Sequence, residues 1–266
     1  MKNSTNRIKQ YYDIDSKEEL RFNDKRKRIE FDNICNVLDR YICGGESVLD
    51  CAAGTGAYIE FLLKKKCIIV ASDISERNVQ YMLNEYSNND RVKVFMRDAR
   101  CLERFGDSSF DIVLCMGPLY HLKPSEWHNI ISECTRVVKK DGLMVLSYMN
   151  RHFFFWNLIK NEKYKIAVAD IFYMAQNGYF PEGKYKGFLG CCYLSTPKEI
   201  EEVVREFACR VVLHQAIDME LGHFYERVGK LDDQEFGYIK EYINKSAQNR
   251  NILGSSKSNL IILKKL

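Results

Sequence analysis

Short apolar segments alternate with longer amphipathic segments through residues 46–150 of the chain. The apolar segments are rich in β-branched residues, so they predict strands at residues 47–51, 67–72, 92–96, 110–116 and 143–148. The amphipathic segments between them predict helices over residues 55–65, 76–86 and 125–139. Strands that are separated by helices pair in parallel, and right-handed crossovers then give a doubly wound sheet.

Residues 1–45 are expected to form a helical cap before the sheet begins. Apolar side chains recur there at helix-like spacing, and Gly44 with Gly45 is expected to end the segment. The apolar positions are Ile29, Ile34, Val37, Leu38 and Tyr41. Tyr11 and Tyr12 either fold over a bound ligand or pack in the core of an N-terminal helix, and both interpretations stay open.

Residues 150–195 interrupt the alternation with an aromatic-rich segment, which predicts an inserted lid that covers the substrate and excludes water. The aromatic residues are Phe153, Phe154, Phe155, Trp156, Phe172, Tyr173, Tyr179, Phe180, Tyr185 and Phe188. Core packing is the alternative for Phe153 to Trp156, because buried aromatic residues are common at this density.

Residues 196–266 complete the predicted sheet. Thr196 is a suitable N-cap, with Pro197 in the first helical turn. A strand over residues 210–217, a helix over 232–246 and a last strand over 259–263 bring the number of strands to seven. The expected fold class is therefore α/β: a Rossmann-like, doubly wound, mostly parallel seven-stranded sheet with helices on both faces and an inserted lid. Residues 46–149 are its ligand-binding core.

Three carboxylates follow three successive strands of this sheet. Asp50 ends the first strand, Asp73 ends the second, and Asp98 follows the third. Ligands on such sheets bind at the carboxyl ends of the strands. A single acid there is more often a helix cap or a turn former, whereas three acids beside a glycine-containing loop are a specific signal of a binding site.

The loop after the first strand distinguishes two classes of ligand. In the dinucleotide fingerprint GxGxxG, a pyrophosphate lies on the N-terminus of the following helix. The window here runs from Ala52 to Ala57 without the first glycine, and Asp50 would repel a pyrophosphate. Gly54 and Gly56 still allow a ligand close to the backbone. The residues therefore favour a ligand with an amine and a sulfonium over one with phosphates.

The loop and the three acids resemble the class I S-adenosylmethionine (SAM)-dependent methyltransferase family, clearly over residues 46–150 and more loosely over the C-terminal strands. The resemblance implies SAM as the cofactor, with its methionine part surrounded by Asp50, Ala52, Gly54 and Gly56. The family commonly has glycine where this chain has Ala52, a difference of one methyl group.

The same resemblance assigns the nucleoside part of the cofactor. Asp73 would hold the two ribose hydroxyls, and Ile74 would lie against the base. Asp98 with Ala99 would bind the adenine, whose exocyclic amine needs an acceptor. Tyr12 is the N-terminal aromatic residue expected to close over the cofactor.

The segment Gly117-Pro118-Leu119-Tyr120-His121-Leu122 follows the fourth strand, whose end faces the transferable methyl group in the resembling family. Met116 is expected to border the cofactor, and Tyr120 and His121 are the candidates for contact with the acceptor. The segment is similar to that of bacterial enzymes acting on small molecules. It lacks both the Asn/Asp-Pro-Pro-Tyr motif for exocyclic base amines and the Pro-Cys nucleophile for cytosine carbon.

His121 is the candidate general base, because histidine titrates near neutral pH. Alternatively it caps the next helix or packs against Trp127. Tyr120 is expected to be a cavity wall rather than a base, since an unperturbed phenol is mostly protonated at neutral pH.

The composition limits the class of protein. With 29% charged and 46% hydrophobic residues, the 266-residue chain is an ordinary globular protein. Much of the net charge of +4 comes from Lys25 to Arg28 and from Lys264 and Lys265, so nucleic acid is the less favoured partner. Ten cysteines without zinc-site spacing predict free thiols and no metal. A cytoplasmic protein is expected, because no apolar signal sequence or membrane-length stretch is present.

The expected function is transfer of a methyl group from SAM to an oxygen or nitrogen of a small-molecule acceptor. RNA or protein methylation is the alternative, supported by the basic run at 25–28. A third hypothesis is a SAM-binding regulator without transfer activity, and a nicotinamide oxidoreductase is the most remote. The sequence leaves the acceptor, the need for a general base and the oligomeric state open.

Overall fold

Seven strands form one sheet in the computed structural model, which describes residues 2–16, 18–21, 25–219 and 221–266. The strands are β1 Ser47–Asp50, β2 Ile68–Asp73, β3 Val92–Met96, β4 Phe110–Cys115, β5 Val138–Met149, β6 Cys209–Ala216 and β7 Ser258–Lys265. Their order is β3-β2-β1-β4-β5-β7-β6. Strand β7 pairs antiparallel with both neighbours, and the other pairs are parallel. The predicted fold class is confirmed.

Helices cover both faces of the sheet. They are α1 Lys2–Gln10, α2 Lys25–Asp39, α3 Ile59–Lys64, α4 Glu76–Tyr86, α5 Pro124–Val137, α6 Arg151–Lys160, α7 Val168–Asn177, α8 Gly187–Cys191, α9 Pro197–Val204, α10 Tyr225–Val228 and α11 Asp233–Ser246. One core packs α5 and α9 against the sheet, and the other packs α2, α3 and α4 against the opposite face. Among the described helices, none has both the length and the apolar character needed to cross a membrane.

The central strands explain where a ligand would bind. Strand β1 lies between β2 and β4, so the strand order reverses beside it. Val48 and Leu49 of β1 are fully buried, as expected for a parallel strand covered on both faces. Because β1 and β4 connect to helices on opposite faces, a crevice opens at their carboxyl ends.

Local signals set most of the boundaries. Helix α4 and strand β3 have the predicted limits, and the side chain of Ser75 caps α4 by accepting from the Asn78 amide. Helix α9 begins as predicted, because the Thr196 side chain accepts from the Glu199 amide in a reciprocal capping box. Strand β5 begins at Val138 rather than at residue 143.

The predicted helix over residues 55–65 is wrong in its first turn. Helix α3 begins only at Ile59, and residues 51–58 form a loop. Gly54 and Gly56 have φ of +59° and +80°, left-handed conformations that do not continue a right-handed helix. Helix α3 therefore begins four residues later than predicted and is only six residues long.

Residues 150–195 contain α6, α7 and α8 and have a small core of their own. Phe153 is buried, but Trp156 is 64% exposed and Phe172 is 56% exposed. The core interpretation is therefore wrong for Trp156, because α6 presents that residue to solvent.

Candidate functional site

A cavity, here called the edge cavity, lies at the carboxyl ends of β1, β2 and β4. Its wall includes all of the predicted cofactor residues except Gly56, together with both predicted acceptor residues. These residues are Tyr12, Asp50, Ala52, Gly54, Asp73, Ile74, Asp98, Ala99, Met116, Tyr120 and His121. Side chains from segments far apart in the sequence therefore meet around one space.

Asp50 is the most unusual group in this wall. It is only 1% exposed, and its Oδ2 atom has no hydrogen-bond partner among the described residues. Burial and the nearby Asp73 carboxylate raise the pKa of Asp50 to about 7. An unpaired buried oxygen costs about 1–3 kcal/mol, so the site suits a ligand with a cationic donor. The ammonium group of SAM is a donor of that kind.

Asp73 fastens the loop after β1 to the loop after β2. Its Oδ2 accepts from the Gly54 amide at 2.8 Å, and its Oδ1 accepts from the Ser75 amide at 2.8 Å and from Asn78 Nδ2 at 3.2 Å. Burial is the main cause that raises its pKa to about 6. A carboxylate has about four acceptor positions, so Oδ2 keeps capacity for a hydroxyl donor.

The two glycines of the loop differ in their surroundings. A Cβ atom at Gly54 would meet nothing within 4 Å, which leaves room for a ligand beside the backbone. A Cβ at Gly56 would lie 2.6 Å from Ile59 Cδ1, and Gly56 is absent from the cavity wall. Gly56 lies against Ile59 of α3, and its predicted place beside the cofactor stays a prediction.

Asp98 is engaged by an arginine that the sequence analysis missed. Arg100 donates from Nη2 to Asp98 Oδ2 at 2.5 Å and from Nε to Oδ1 at 3.0 Å. The same guanidinium reaches Glu126 at 2.5 Å and the Thr5 hydroxyl. Arg100 therefore joins α1, the loop after β3 and α5. The only sequence signal was an arginine two positions after the acid.

His121 is held by hydrogen bonds on both ring nitrogens. Its Nδ1 lies 2.8 Å from the Cys191 carbonyl oxygen, which only accepts, so Nδ1 carries the proton. Nε2 then accepts from the Tyr12 hydroxyl at 2.7 Å. Burial lowers the pKa of His121 to about 4, so the ring is neutral at pH 7.

One alternative for His121, capping of the next helix, is wrong. Helix α5 has Lys123 as its N-cap residue and no side-chain cap, so His121 does not cap it. The indole of Trp127 donates instead to the Leu119 and Leu122 carbonyls. The rings close to His121 are those of Tyr11, Tyr12, Tyr120 and Phe188.

Tyr120 is a buried wall residue, as predicted from its chemistry. Burial is the main cause that raises the pKa of its phenol, so the group stays protonated at neutral pH. Its backbone carbonyl accepts from the Tyr193 amide at 2.8 Å, which fixes the end of the 150–195 segment beside it.

A second cavity of about 760 Å³, here called the aromatic cavity, adjoins the first. The two share Tyr12, Glu18, Arg21, Glu30 and Tyr120. Phe153 and Phe154 of α6 and Phe188 of α8 form part of the remaining wall. The 150–195 segment therefore lies against the space next to the predicted cofactor site.

A partly buried ion network beside the cavities was not predicted. Arg21 pairs with Glu30 at 2.6 Å, and Lys257 lies 3.5 Å from Glu30 and 3.2 Å from Asp218. Burial raises the pKa of Asp218. These residues come from opposite ends of the chain, so no local spacing could have indicated that they meet.

Three buried thiols lie behind the loop after β1. The sulfur atoms of Cys51, Cys115 and Cys134 are within 4.8 Å of one another. They offer three thiolate ligands, whereas a structural zinc site uses four. Within the described residues, no histidine or acid is grouped with them. Their positions at the ends of two strands and within α5 explain why sequence spacing did not indicate the cluster.

The basic run shows limited organisation. Lys27 is exposed, and Arg28 Nε lies 3.8 Å from Asp32 on the same helix. The side chains of Lys25 and Arg26 lie outside the described part of the chain. At the C-terminus, Lys264 pairs with Asp141 at 2.9 Å and Lys265 donates to the Val138 carbonyl.

The sequence itself matches a known family over this region. Residues 48–142, which carry the loop and the three acids, match the family described as "Methyltransferase domain". Residues 48–142 are therefore similar in sequence to methyltransferase domains. The match stops before the 150–195 segment and the C-terminal strands.

Curated methyltransferases match slightly less than half of the chain. The chain is 31% identical over 128 residues to a glycine/sarcosine N-methyltransferase of Parasynechococcus marenigrum, covering 47% of this chain and 45% of that protein. It is 28% identical over 125 residues to a ubiquinone biosynthesis O-methyltransferase of Pasteurella multocida, covering 43% and 51%. The chain thus spans about half the length of the curated relatives that it matches.

A solved structure extends the comparison to most of the fold. A SAM-dependent methyltransferase from Methanosarcina mazei superposes with a TM-score of 0.60 at 17% identity, covering 86% of this chain and 97% of that chain. At this identity the likeness concerns the fold alone.

Proposed function

We propose that this protein is a SAM-dependent methyltransferase that transfers a methyl group to an oxygen or nitrogen of a small-molecule acceptor. The observation that carries the proposal is the edge cavity, with the unpaired buried Oδ2 of Asp50 in its wall. The N- and O-methyltransferases among the relatives support the reaction class without deciding the acceptor atom.

Each of the three acids would bind a different part of the cofactor. Asp50 would accept from the ammonium group, because its Oδ2 is buried and has no described partner. Asp73 would accept a ribose hydroxyl with the remaining capacity of Oδ2. Asp98 would accept from the adenine amine while Arg100 holds its carboxylate in place. Ala52 and Gly54 would allow close approach of the methionine part.

Positioning is the main contribution that these residues would make to the reaction. Bound SAM supplies an already activated methyl group, so aligning the acceptor with that methyl provides much of the acceleration. Met116 borders the edge cavity, and Tyr120 lines both cavities. Together they would form the border between the cofactor space and the acceptor space, and the methyl group would pass from one space to the other beside them.

His121 is better suited to orient Tyr12 than to store a proton. With a pKa of about 4, charging its ring at pH 7 costs about 4 kcal/mol, at 1.36 kcal/mol for each of three pH units. Its Nε2 is also occupied by the Tyr12 hydroxyl. We therefore assign His121 as a positioning residue, and Tyr12 as the group that faces the acceptor.

The segments before and after residues 46–149 would enclose the bound cofactor and acceptor. We propose residues 1–45 as a cap and 150–195 as a lid on the 46–149 core, with 196–266 completing the sheet. Ser75 donates to Asp13 at 2.6 Å, which ties the N-terminal segment to α4. The Cys191 carbonyl accepts from His121, which ties the other segment to the site.

Calorimetric titration and a methyl-transfer screen test the proposal. SAM and its demethylated product are expected to bind the wild-type protein, whereas NADH is not, because Asp50 disfavours a pyrophosphate. Radiolabelled SAM with a panel of phenols, carboxylates and amines is then expected to give a labelled product. SAM binding without transfer to any panel member, RNA or protein would favour a regulator, and absence of SAM binding would refute the proposal.

A further inference from the structure

We propose that the acceptor is an aromatic molecule carrying an anionic group, either a carboxylate or a phosphate, and that it binds in the aromatic cavity. This inference rests on the proposed methyl transfer, because it takes the edge cavity as the place of the cofactor. It goes further by assigning the ring and the charge of the acceptor to separate parts of the second space.

The two cavities are suitably connected for a transfer reaction. Both are bordered by Tyr12 and Tyr120, so a molecule in the aromatic cavity would approach the cofactor where these two side chains lie. The volume of about 760 Å³ lies within the ordinary range of small-molecule sites, about 300–1,000 Å³. The space is thus large enough for a ring system with substituents.

The inner wall is suited to a planar apolar group. Phe188 lies 6.1 Å from Tyr11, 6.5 Å from Tyr120 and 6.3 Å from Phe154, measured between ring centroids. The Phe154 and Phe188 rings are inclined by only 29° to each other. Aromatic rings pack favourably at such centroid distances. An acceptor ring would extend this cluster beside Tyr12.

The charge of the lining is strongly one-sided. Six cationic side chains border the aromatic cavity: Arg21, Lys27, Lys160, Arg227, Lys230 and Lys257. Three acids, Glu18, Glu30 and Glu226, also border it, so its described lining carries a formal charge of six minus three, or +3. The whole chain has a net charge of only +4, so this cavity concentrates most of the excess.

The charged residues near Glu30 are paired with each other, whereas three exposed cations of the lining are available to an anion. Glu30 is neutralised by Arg21 at 2.6 Å and by Lys257 at 3.5 Å, and Glu18 lies 3.5 Å from Arg21. Lys27, Arg227 and Lys230 are exposed members of the lining, and Glu226 is the one exposed acid among its described residues. An anion beside these cations would be attracted, and a cation would be repelled. The acceptor therefore enters ring first, with its anionic group toward these three cations.

Matched aromatic probes test the inference on protein saturated with S-adenosylhomocysteine. The probes are 3-hydroxybenzoate, phenyl phosphate, the neutral 3-hydroxybenzamide and the cationic 3-(aminomethyl)phenol, with inorganic phosphate alone as a control for binding without a ring. Isothermal titration is expected to give about tenfold or tighter binding of at least one anionic aromatic probe than of the amide, as for hydrogen bonds to a charged group. The cationic probe is expected to bind weakest.

A triple variant tests whether the three exposed cations bind the anionic group of the acceptor. Lys27→Gln, Arg227→Gln and Lys230→Gln together are expected to remove the preference for the anionic probes. The matched control carries Lys198→Gln, Arg205→Gln and Lys245→Gln, three exposed positions that line neither cavity. The wild-type preference is also expected to shrink at high salt, because exposed charges are screened, which tests the idea without any variant.

The outcomes separate this inference from the proposed function. If S-adenosylhomocysteine binds but the amide binds as tightly as the anionic probes, the acceptor class is wrong and the methyltransferase proposal stands. Equal binding of inorganic phosphate and phenyl phosphate would also overturn it, because the ring would then contribute nothing. If S-adenosylhomocysteine itself does not bind, the proposed function fails first.

Discussion

Asp50→Asn is the perturbation that separates binding from stability most clearly. The change keeps the shape of the side chain and removes the carboxylate that would accept from the cofactor ammonium. Loss of a hydrogen bond between charged groups costs about 1.5–3 kcal/mol, so the dissociation constant of SAM is expected to rise by about 10- to 100-fold.

The effect on the free protein has the opposite sign. The pKa of Asp50 is raised from 3.8 to about 7 in the folded state, so the folded protein binds the proton more tightly than the unfolded chain does. Stability is therefore lost as the pH rises from about 4 to about 7, by about 4 kcal/mol at 1.36 kcal/mol for each pH unit. The variant avoids this loss, but burying its asparagine amide costs about 1–3 kcal/mol. A net stabilisation of about 1–3 kcal/mol is expected at pH 8.

The same group predicts a pH dependence of binding. The ammonium requires an ionised Asp50, and below pH 7 that carboxylate is increasingly protonated in the free protein. SAM affinity is therefore expected to rise with pH up to about 7, and to rise more steeply in the wild type than in Asp50→Asn, in which only Asp73, with a pKa of about 6, still titrates in this range. Calorimetry between pH 6 and 8 and thermal unfolding at pH 8 measure both effects. Unchanged SAM affinity in the variant, together with a pH-independent wild type, would refute the assigned role of Asp50.

Three further substitutions test neighbouring parts of the site. Asp73→Ala is expected to weaken SAM binding by about 1.5–3 kcal/mol, measured by calorimetry; an unchanged affinity would mean that the ribose lies elsewhere. Gly56→Ala is expected to lower the free energy of unfolding by about 2 kcal/mol or more, because φ is +80° and the new Cβ meets Ile59; Gly45→Ala, with φ of +89° and open space, is the control for backbone strain alone and should cost less. Tyr12→Phe is expected to reduce turnover of an identified acceptor about tenfold or more with SAM affinity almost unchanged; full turnover would remove Tyr12 from the acceptor side.

Residues close together in the sequence made much of the fold predictable. Strand β3 and helix α4 have their predicted limits because apolar periodicity and the Ser75 cap act over a few residues. The sheet followed from the alternation of strands and helices, since parallel pairing requires crossovers. The start of α3 was missed because the conformations of Gly54 and Gly56 depend on how the loop packs against Ile59 and Asp73.

The site was predictable to a smaller extent, for the same reason. Strand-end acids meet at one edge of a parallel sheet, so Asp50, Asp73 and Asp98 could be grouped from their spacing alone. The Tyr12–His121 hydrogen bond joins positions 109 residues apart, and its effect on His121 depends on burial. The spacing of nearby residues in the sequence predicts neither the hydrogen bond nor the burial. The cytoplasmic location and the roles of individual site residues stay predictions.

A crystal structure of the protein grown with S-adenosylhomocysteine tests the central claim most directly. The account predicts the ligand in the edge cavity, with its amino group within hydrogen-bond distance of Asp50 Oδ2 and its ribose hydroxyls at Asp73. An edge cavity closed by side chains, with the ligand bound elsewhere or not at all, would contradict it.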